Sequence, residues 1–512
     1  MSDKCASKRL PARGWSHIAC LALFALFALD AMAAKPVEDR NWIEVTTPHF
    51  TIRSTLKEKH TREMAHQAEL LRAAVLLLTN TKSADSAIPT VIYALPGRYY
   101  DDLVDIDNTS GVFLSGSRQN DVVIRDSARV SESSVIKHEF VHELMRGQSG
   151  FDSPKWYIEG LAEYFEGSES RAGKFRVGIV PDNHANRLAR ESWIRAETLL
   201  SSNAFGDLGP RKTSLFYSQS WALVHYLTHA QDRSLSIADG LRRYADALES
   251  GSSEYDSFSS AFGLDPGDLR AILSRYLRAE CCQIYTILEK ELLPDFELQV
   301  SELSRAHISV GLGQIAVKRN KPDLAQYWFD VALQDPQARP RALAYSASLA
   351  SSNDDFYAAE ELSKEAEILA PNDPRVHTER AAYLVRRARQ MENADETATY
   401  LKAAQASLVK AWRLDNTIPL VYSLTGQTYT MLNKDYDRAV DMLEQAVTLA
   451  PANLEFRYRL AHAYARANRP GDATTTARSL STWSHGAEKL RGAAQKLIDS
   501  LEEKDASQPG EN

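Results

Sequence analysis

Two histidines and a glutamate in the first third of the chain have the spacing of a metal site. The segment KHEFVHELM at residues 137–145 contains His138, Glu139 and His142, which together form the pattern HExxH. In a helix, His138 and His142 lie one turn apart on one face, so their imidazoles can bind a single Zn²⁺. Glu139 lies about 100° around the helix from His138, where it can reach a water molecule at the metal and act as a general base. The spacing predicts a zinc site on a helix from about Ser133 to Arg146.

The residues that follow predict a second, shorter helix. Ser153 is a natural N-cap, Pro154 a natural first helical residue and Gly167 a natural C-terminal stop. Trp, Tyr, Leu and Phe residues flank the acidic positions between them. This much apolar surface favours a buried helix over the alternative, a solvated helix whose carboxylates face water.

Two glutamates on this second helix complete the predicted metal site. Glu159 is separated from His142 by sixteen residues, and Glu163 lies four residues further on, so the two glutamates share one face. Glu159 is the predicted third zinc ligand, and Glu163 is predicted to accept the other N–H of a zinc-bound histidine. Gly160 costs about 1 kcal/mol of helix propensity relative to alanine. That cost is understandable if the second helix must approach the zinc helix closely.

HExxH followed by sixteen residues and a glutamate in the sequence EGLAEY resembles the gluzincin metallopeptidases, the clan of thermolysin and the aminopeptidase-N-like enzymes. The resemblance covers about residues 40–280 and implies an α+β zincin-like metallopeptidase domain. The roles that it implies are zinc binding by His138, His142 and Glu159, activation of water by Glu139, and support of a ligand histidine by Glu163. The chain has no GxMEN-like signature before the zinc motif, so we expect an endopeptidase rather than an exopeptidase.

The same resemblance implies a residue that stabilises the oxyanion, because clan members commonly use a downstream Tyr or His. The segment FYSQSWALVHYL resembles the helix that follows the ligand helix in the clan, which makes Tyr217 the first candidate and Tyr226 the second. Aromatic residues that only pack in a core are the alternative. His225 and His229 are also four residues apart, but Tyr226 stands where a second HExxH motif needs Glu, so we expect no second zinc site. His184 is predicted to lie on a loop and has no assignable role.

The elements that must position these residues predict an α+β architecture. Trp42–Ser54 and Pro89–Leu95 are predicted to form strands, and Lys57–Leu78 a helix. The runs Gly111–Ser115 and Asp121–Arg125 predict a hairpin. By its place in the chain, this hairpin corresponds to the strand that holds the substrate backbone in gluzincins. Beyond it the pattern is almost wholly helical as far as about residue 280.

The C-terminal part of the chain is periodic. Small residues seven apart recur, each pair followed by Pro or Asn, at Ala325/Ala332/Pro336, Ala359/Ala366/Pro371, Ala404/Ala411/Asn416 and Ala439/Ala446/Pro451. The Pro and Asn markers lie 35, 45 and 35 residues apart. The pattern resembles the tetratricopeptide repeat and implies an all-α solenoid of four to five units over about Ser304–Trp483. We expect an insertion in the third unit near Met391–Thr397 and a capping helix at Ala487–Leu501.

The N-terminus has the layout of a cleaved signal peptide. Four Lys and Arg residues precede the apolar run Ile18–Leu29, and Ala31-Met32-Ala33 fits a signal peptidase site. A retained membrane anchor is the alternative, but the run is shorter than the roughly 20 residues that cross a bilayer. Because the signal is of bacterial style, we predict export to the periplasm or secretion. Of four cysteines only Cys281 and Cys282 would remain, favoured as two partly buried thiols over a vicinal disulfide.

The sequence therefore predicts the following segments: a signal peptide at residues 1–33, a metallopeptidase domain at 34–280, a linker helix at 281–302, a repeat array with its capping helix at 303–503, and a disordered tail at 504–512. The net charge of −8 argues against nucleic acid as the main partner. The hydrophobic content of 44% is close to the soluble globular average and disfavours wholesale disorder and a multi-span membrane protein. We expect no stable membrane span in the mature chain.

The predicted function is that of an exported zinc metallopeptidase whose cofactor is Zn²⁺ and whose substrate is a peptide or protein. The repeats would offer a groove to a protein partner. The alternative is a repeat-based adaptor whose metallopeptidase-like domain binds but no longer cuts. The filled motif favours the first hypothesis, because a site without activity has no chemical need for both Glu139 and Glu163.

Overall fold

The computed structural model describes residues 35–80, 86–106, 109–126, 134–146, 153–201, 208–229, 236–279, 283–481 and 488–507. The predicted signal peptide and the pair Cys281 and Cys282 lie outside them. The chain divides into two compact units, Met1–Arg40 and Asn41–Asn512. The described part of the first unit contains a short 3₁₀ helix at Val37–Asp39. Within the described ranges, every strand and α-helix belongs to the second unit, which also holds the candidate site.

The first elements of the second unit are close to those predicted. They are β1 (Trp42–Thr46), β2 (Phe50–Ser54), α1 (Glu58–Thr79), β3 (Thr90–Leu95), α2 (Gly97–Val104), β4 (Gly111–Leu114), β5 (Asn120–Arg125) and α3 (Ser134–Arg146). The predicted hairpin is confirmed, because β4 and β5 pair antiparallel with Gly111 opposite Ile124.

The described residues of the following stretch are mainly helical and include a hairpin that the sequence pattern did not indicate. Its elements are α4 (Lys155–Glu166), β6 (Glu169–Arg171), β7 (Lys174–Val177), α5 (Asp182–Arg190), α6 (Ala196–Leu200), α7 (Pro210–His229), α8 (Ile237–Glu249), α9 (Glu254–Phe262) and α10 (Leu269–Ala279).

The prediction of a linker helix at residues 281–302 is wrong. The described residues there form β8 (Tyr285–Leu288), a single turn α11 (Glu289–Leu292) and β9 (Gln299–Leu303). Pro294 prevents a continuous helix because it lacks an N–H and clashes with the preceding turn. Strand β8 joins a three-stranded sheet in the order β6-β7-β8, and β9 pairs antiparallel with β1.

The larger sheet places β4 at an edge beside the motif helix. Its order is β4-β5-β3-β2-β1-β9, with β2, β3 and β5 parallel to one another. Alternate residues such as Val45, Ile52, Ile92 and Val122 point into one core, which also holds the apolar faces of α1, α3, α4 and α7. Edge strand β4 packs against α3.

The repeat array is a series of five helix pairs and a final helix. The pairs are α12 (Arg305–Lys318) with α13 (Pro322–Ala332), α14 (Arg339–Ser352) with α15 (Phe356–Leu369), α16 (Pro374–Arg389) with α17 (Ala394–Leu414), α18 (Pro419–Met431) with α19 (Tyr436–Leu449), and α20 (Leu454–Arg466) with α21 (Pro470–Ser481). The predicted insertion lengthens the third pair, in which α17 has 21 residues. The final helix is α22 (Glu488–Ser507). It extends beyond residue 503, so the prediction of a disordered tail is wrong for residues 504–507.

No helix within the described ranges combines the length and the hydropathy that crossing a membrane requires.

Candidate metal centre

Helix α3 is fixed in the core through one apolar face. Phe140, Val141 and Met145 are buried there. Because these three side chains face the core, His138 and Glu139 lie at the border of the buried face and are partly exposed. His142 is buried and only 1% exposed. The helix thus presents its two histidines towards α4, against which it packs.

Helix α4 is buried along nearly its whole length, from Lys155 to Phe165. It begins one residue later than predicted, because Pro154 has an extended backbone (φ −64°, ψ 148°) and occupies the N-cap position expected for Ser153. Gly167 ends the helix as predicted.

Gly160 allows a close approach between helices, as expected, but the neighbouring helix is not the predicted one. A Cβ atom on Gly160 would lie 2.3 Å from the backbone oxygen of Ser220 and 2.7 Å from Cγ2 of Val224. Both residues belong to α7, not to α3, the helix of the HExxH motif. The glycine therefore allows α7, the helix that carries Tyr217, to lie directly against the helix that carries Glu159 and Glu163.

Three predicted ligands converge on one point. Nε2 of His138 and Nε2 of His142 each lie 3.4 Å from Oε2 of Glu159. All three ligand atoms lie within 4.8 Å of one another. Ligands at about 2.0–2.1 Å from a tetrahedral zinc ion are separated by about 3.3–3.4 Å. Two imidazole nitrogens and a carboxylate oxygen at these separations fit Zn²⁺, with one position of the tetrahedron left for water or substrate.

The electrostatics of the two histidines differ. Burial alone would lower the pKa of His138, but the carboxylates of Glu159, Glu166 and Glu163 outweigh it and hold the pKa well above its usual value. Burial dominates at His142 and lowers its pKa. The cluster thus concentrates negative charge around His138, which favours a cation at this position.

Glu163 links the predicted ligand His138 to a histidine that the sequence did not single out. Oε1 of Glu163 lies 3.7 Å from Nδ1 of His138, and Oε2 lies 2.7 Å from Nε2 of His184. Nδ1 of His184 is in turn 2.9 Å from Oγ of Ser218 on α7. The prediction of a loop at His184 is wrong, because the residue lies on helix α5. A lone histidine has no spacing signal, so its role could not be assigned from the sequence.

Glu166 also belongs to this network, with Oε2 3.7 Å from Nδ1 of His138. This residue had a detectable signal, because Glu159, Glu163 and Glu166 are spaced i, i+4 and i+7 and so share one helical face.

Tyr217 lies beside the three ligands, whereas Tyr226 packs elsewhere. The ring centroids of Tyr217 and His138 are 6.1 Å apart with nearly perpendicular planes. Burial, together with the charges of Glu159, Glu163 and Glu139, raises the pKa of Tyr217. Tyr217 is therefore protonated at neutral pH and able to donate a hydrogen bond. Tyr226 packs against Tyr276, with ring centroids 5.2 Å apart.

The second histidine pair forms hydrogen bonds in the core. His225 contacts the hydroxyl of Tyr276 at 2.7 Å and the carbonyl oxygen of Gly178 at 2.9 Å, and His229 contacts the hydroxyl of Tyr164 at 2.8 Å. Burial lowers the pKa of both histidines to about 4. These neutral rings join α7 to α4, α10 and the segment after β7.

A cleft of about 490 Å³ opens beside the candidate site. Glu139 and Glu143 of α3 and the strand residues Val112 and Phe113 line one part of it. Residues 452–455, at the start of the fifth helix pair, line another part. Glu139 is thus the motif residue that faces a space large enough for a peptide segment.

Two family models match parts of the chain. A tetratricopeptide repeat model matches residues 431–497, so the C-terminal helix pairs are tetratricopeptide repeats and imply a protein partner. A model described as a protein of unknown function (DUF1570) matches residues 132–243, which include every candidate site residue. No curated protein matches the chain in sequence.

Solved structures similar to the chain include three that differ in coverage. A thermophilic TPR protein of Thermus thermophilus, TTC0263, is 23% identical and covers 38% of this chain and 98% of its own, with a TM-score of 0.35. MamA of Desulfovibrio magneticus RS-1 is 15% identical and covers 40% and 97%, with a TM-score of 0.26. Yeast Tom70 is 15% identical and covers 69% and 70%, with a TM-score of 0.31.

One side of the repeat array contacts the loop between β4 and β5 of the same chain. The first helices of successive pairs contact one another, and we call the layer that they form the first-helix face. Arg118, in the loop between β4 and β5, pairs with Glu379 of α16 on this face. A partner that uses the same part of the face would have to displace this loop.

Proposed function

We propose that the protein is an exported zinc metallopeptidase that hydrolyses peptide bonds within polypeptide chains. The observation that carries the proposal is the convergence of Nε2 of His138 and Nε2 of His142 on Oε2 of Glu159, each at 3.4 Å. The resemblance of the motif to gluzincins supports the choice of reaction. The N-terminal sequence supports export, and the missing GxMEN-like signature supports an endopeptidase.

The surrounding residues suit this reaction. Zn²⁺ bound there would polarise the scissile carbonyl and make a water molecule more acidic. Glu139, which lines the cleft beside His138, would accept a proton from the water and return it to the leaving amine. Tyr217 would donate a hydrogen bond to the oxyanion. Glu163 would orient the ring of His138 through Nδ1.

Metal analysis combined with a cleavage assay tests the proposal. We expect about one zinc per chain in the parent protein and in Glu139→Gln, because Glu139 is a base and not a ligand. Casein cleavage should fall at least about 100-fold in Glu139→Gln, since it loses the general base. Glu159→Ala should lose zinc. Glu139→Gln is the control for this measurement, because it also replaces a glutamate of the candidate site but one that is not a proposed ligand.

The alternative function is a repeat-based adaptor with an inactive metallopeptidase-like domain, and the tetratricopeptide repeats favour it equally. Bound zinc with no cleavage above background by either the parent or Glu139→Gln would contradict the peptidase and leave the adaptor as the better hypothesis. Equal, measurable cleavage by both proteins would exclude Glu139 as the base.

A further inference from the structure

We propose that the repeat array completes the substrate cleft and restricts it to extended, unfolded polypeptide segments. The first-helix face holds the β4–β5 hairpin, which forms one wall, and the turn at residues 452–455 forms another. The inference rests on the proposed function, because it assumes that the cleft beside Glu139 receives substrate.

Lys318, the last residue of α12, holds the hairpin at three points. Its Nζ donates hydrogen bonds to the backbone oxygens of Leu114 at 3.2 Å and Gln119 at 2.6 Å, and it pairs with Oδ2 of Asp121 at 2.6 Å. Gly116 leaves room for this arrangement, because a Cβ at that position would lie 2.5 Å from the backbone oxygen of Gln119 and 2.8 Å from the same Nζ. The end of the edge strand is thus attached to the first repeat.

Two further repeats hold the loop of the hairpin. Arg118 forms a two-pronged ion pair with Glu379 of α16, with Nη2 2.7 Å from Oε2, and the Glu379 side chain is only 4% exposed. Asn453, the N-cap of α20, donates from Nδ2 to the backbone oxygen of Gly116 at 3.3 Å. Because the first, third and fifth pairs all contact the loop, the array holds it at points far apart in sequence.

The attached hairpin contacts the helix of the metal motif. Asn120 lies between two residues that Lys318 binds, and its Nδ2 donates to Oε1 of Glu143 at 3.1 Å. Glu143 follows His142 directly in α3. The position of the hairpin relative to the candidate site therefore depends on the array.

The array also borders the cleft itself. Residues 452–455 and Leu490 of α22 line the same 490 Å³ space as Glu139 and Phe113. Leu454 packs both against the core of the first part of the unit and against the core of the last repeats. A cavity in the lower half of the usual range of about 300–1,000 Å³ accepts a short extended segment but not a folded domain.

The test compares two glutamates of the array that both pair with arginine. Glu379→Gln removes the partner of Arg118. Glu365→Gln is the control and removes the partner of Arg339, whose Nη2 lies 2.7 Å from Oε1 of Glu365 in an exposed ion pair on α14 and α15. Arg118→Gln breaks the same ion pair, Arg118–Glu379, from the side of the loop. It leaves the array unaltered, so it shows whether an effect of Glu379→Gln comes from the lost ion pair or from misfolding of the array. Amide hydrogen exchange of residues 111–125 reports on the hairpin without any activity.

Binding is measured in the Glu139→Gln background by fluorescence anisotropy with dye-labelled lysozyme, either reduced and carboxymethylated or native. We expect binding of the unfolded form only. Glu379→Gln and Arg118→Gln should weaken this binding about tenfold and speed hairpin exchange about tenfold, and Glu365→Gln should change neither. Reversing the pair with Arg118→Glu and Glu379→Arg together should restore part of both losses.

Three results would overturn the inference: hairpin exchange in Glu379→Gln and Arg118→Gln equal to that in Glu365→Gln, faster exchange with unchanged binding, or binding of native lysozyme as tight as that of the unfolded form. Failure of the proposed function is recognised separately, by the zinc content and casein cleavage of the parent protein. If the parent protein binds zinc and cleaves casein, but Glu379→Gln does not change the binding of unfolded lysozyme, only the inference is contradicted.

Discussion

Glu163 occupies a position between two histidines that lie on different helices. It reaches His138 at 3.7 Å with one oxygen and His184 at 2.7 Å with the other. Burial raises the pKa of Glu163. The short contact with His184 offsets part of that effect and fixes the direction of the carboxylate. We therefore regard His184 as a positioning residue that acts on the metal site through Glu163.

Substitution of His184 tests this role. His184→Leu should bind zinc about 10–100-fold more weakly, because Glu163 loses the group that orients it. His184→Gln, which keeps a donor near Glu163, should recover part of the affinity. Zinc affinity is measured by competition with a chromophoric chelator at neutral pH. His307→Leu on the first repeat is the control, and an equal affinity of His184→Leu and this control would contradict the positioning role.

At the scale of elements, the packing of α4 on α7 brings the carboxylates of the candidate site and Tyr217 together. Gly160 is the point of closest approach, with space for a hydrogen but not for a methyl group beside the Ser220 carbonyl. The buried aromatic residues Trp156 and Trp221 lie on the same two helices. A rigid backbone contact of this kind fixes the relative position of Glu159 and Tyr217 better than side-chain contacts alone.

Gly160→Ala should lower the free energy of unfolding by about 1–3 kcal/mol, because the added methyl group forces the two helices apart. Gly492→Ala is the matched control, since that glycine lies in helix α22 with no atom near its missing Cβ. The control should raise the free energy of unfolding by about 0.5–1 kcal/mol through helix propensity. Urea denaturation followed by circular dichroism measures both, and a similar gain in the two variants would show that α4 and α7 are not in contact at Gly160.

At the scale of the whole second unit, the segment before β3 ties the sheet to the repeats. Ile88 is 4% exposed and belongs to the hydrophobic core of the third and fourth helix pairs. The neighbouring backbone N–H of Ala87 donates to the carbonyl oxygen of Leu449 at 2.8 Å. The array is therefore joined to the sheet through apolar packing as well as through the charged contacts of the hairpin.

Ile88→Ala should reduce the stability of the third and fourth repeats by about 2–5 kcal/mol, because it opens a cavity in their core. The control Ile368→Ala removes an isoleucine that is 77% exposed on the same array and should change stability by no more than about 0.5 kcal/mol. Hydrogen exchange of α16 to α19 measures the effect. Equal protection of these helices in both variants would mean that Ile88 does not stabilise the array.

Periodic features of this chain were readable from sequence because they depend on local geometry. The HExxH helix, the glutamates of α4, the β4–β5 hairpin and the repeated helix pairs each follow from residue spacing along one element. The error at α4 was a single residue at its start, where Pro154 adopts an extended backbone instead of the first helical turn.

Only the tertiary structure decided which of these elements meet. The strand β9 pairs with β1 across more than two hundred residues, His184 reaches Glu163 from another helix, and the first-helix face is partly covered by the chain's own hairpin. Spacing along the chain carries no information on such contacts, because each depends on shape and charge that residues distant in sequence bring together on folding. The sequence by itself thus determined the candidate ligands and the repeats, whereas folding decided that the repeats border the cleft that Glu139 lines beside those ligands.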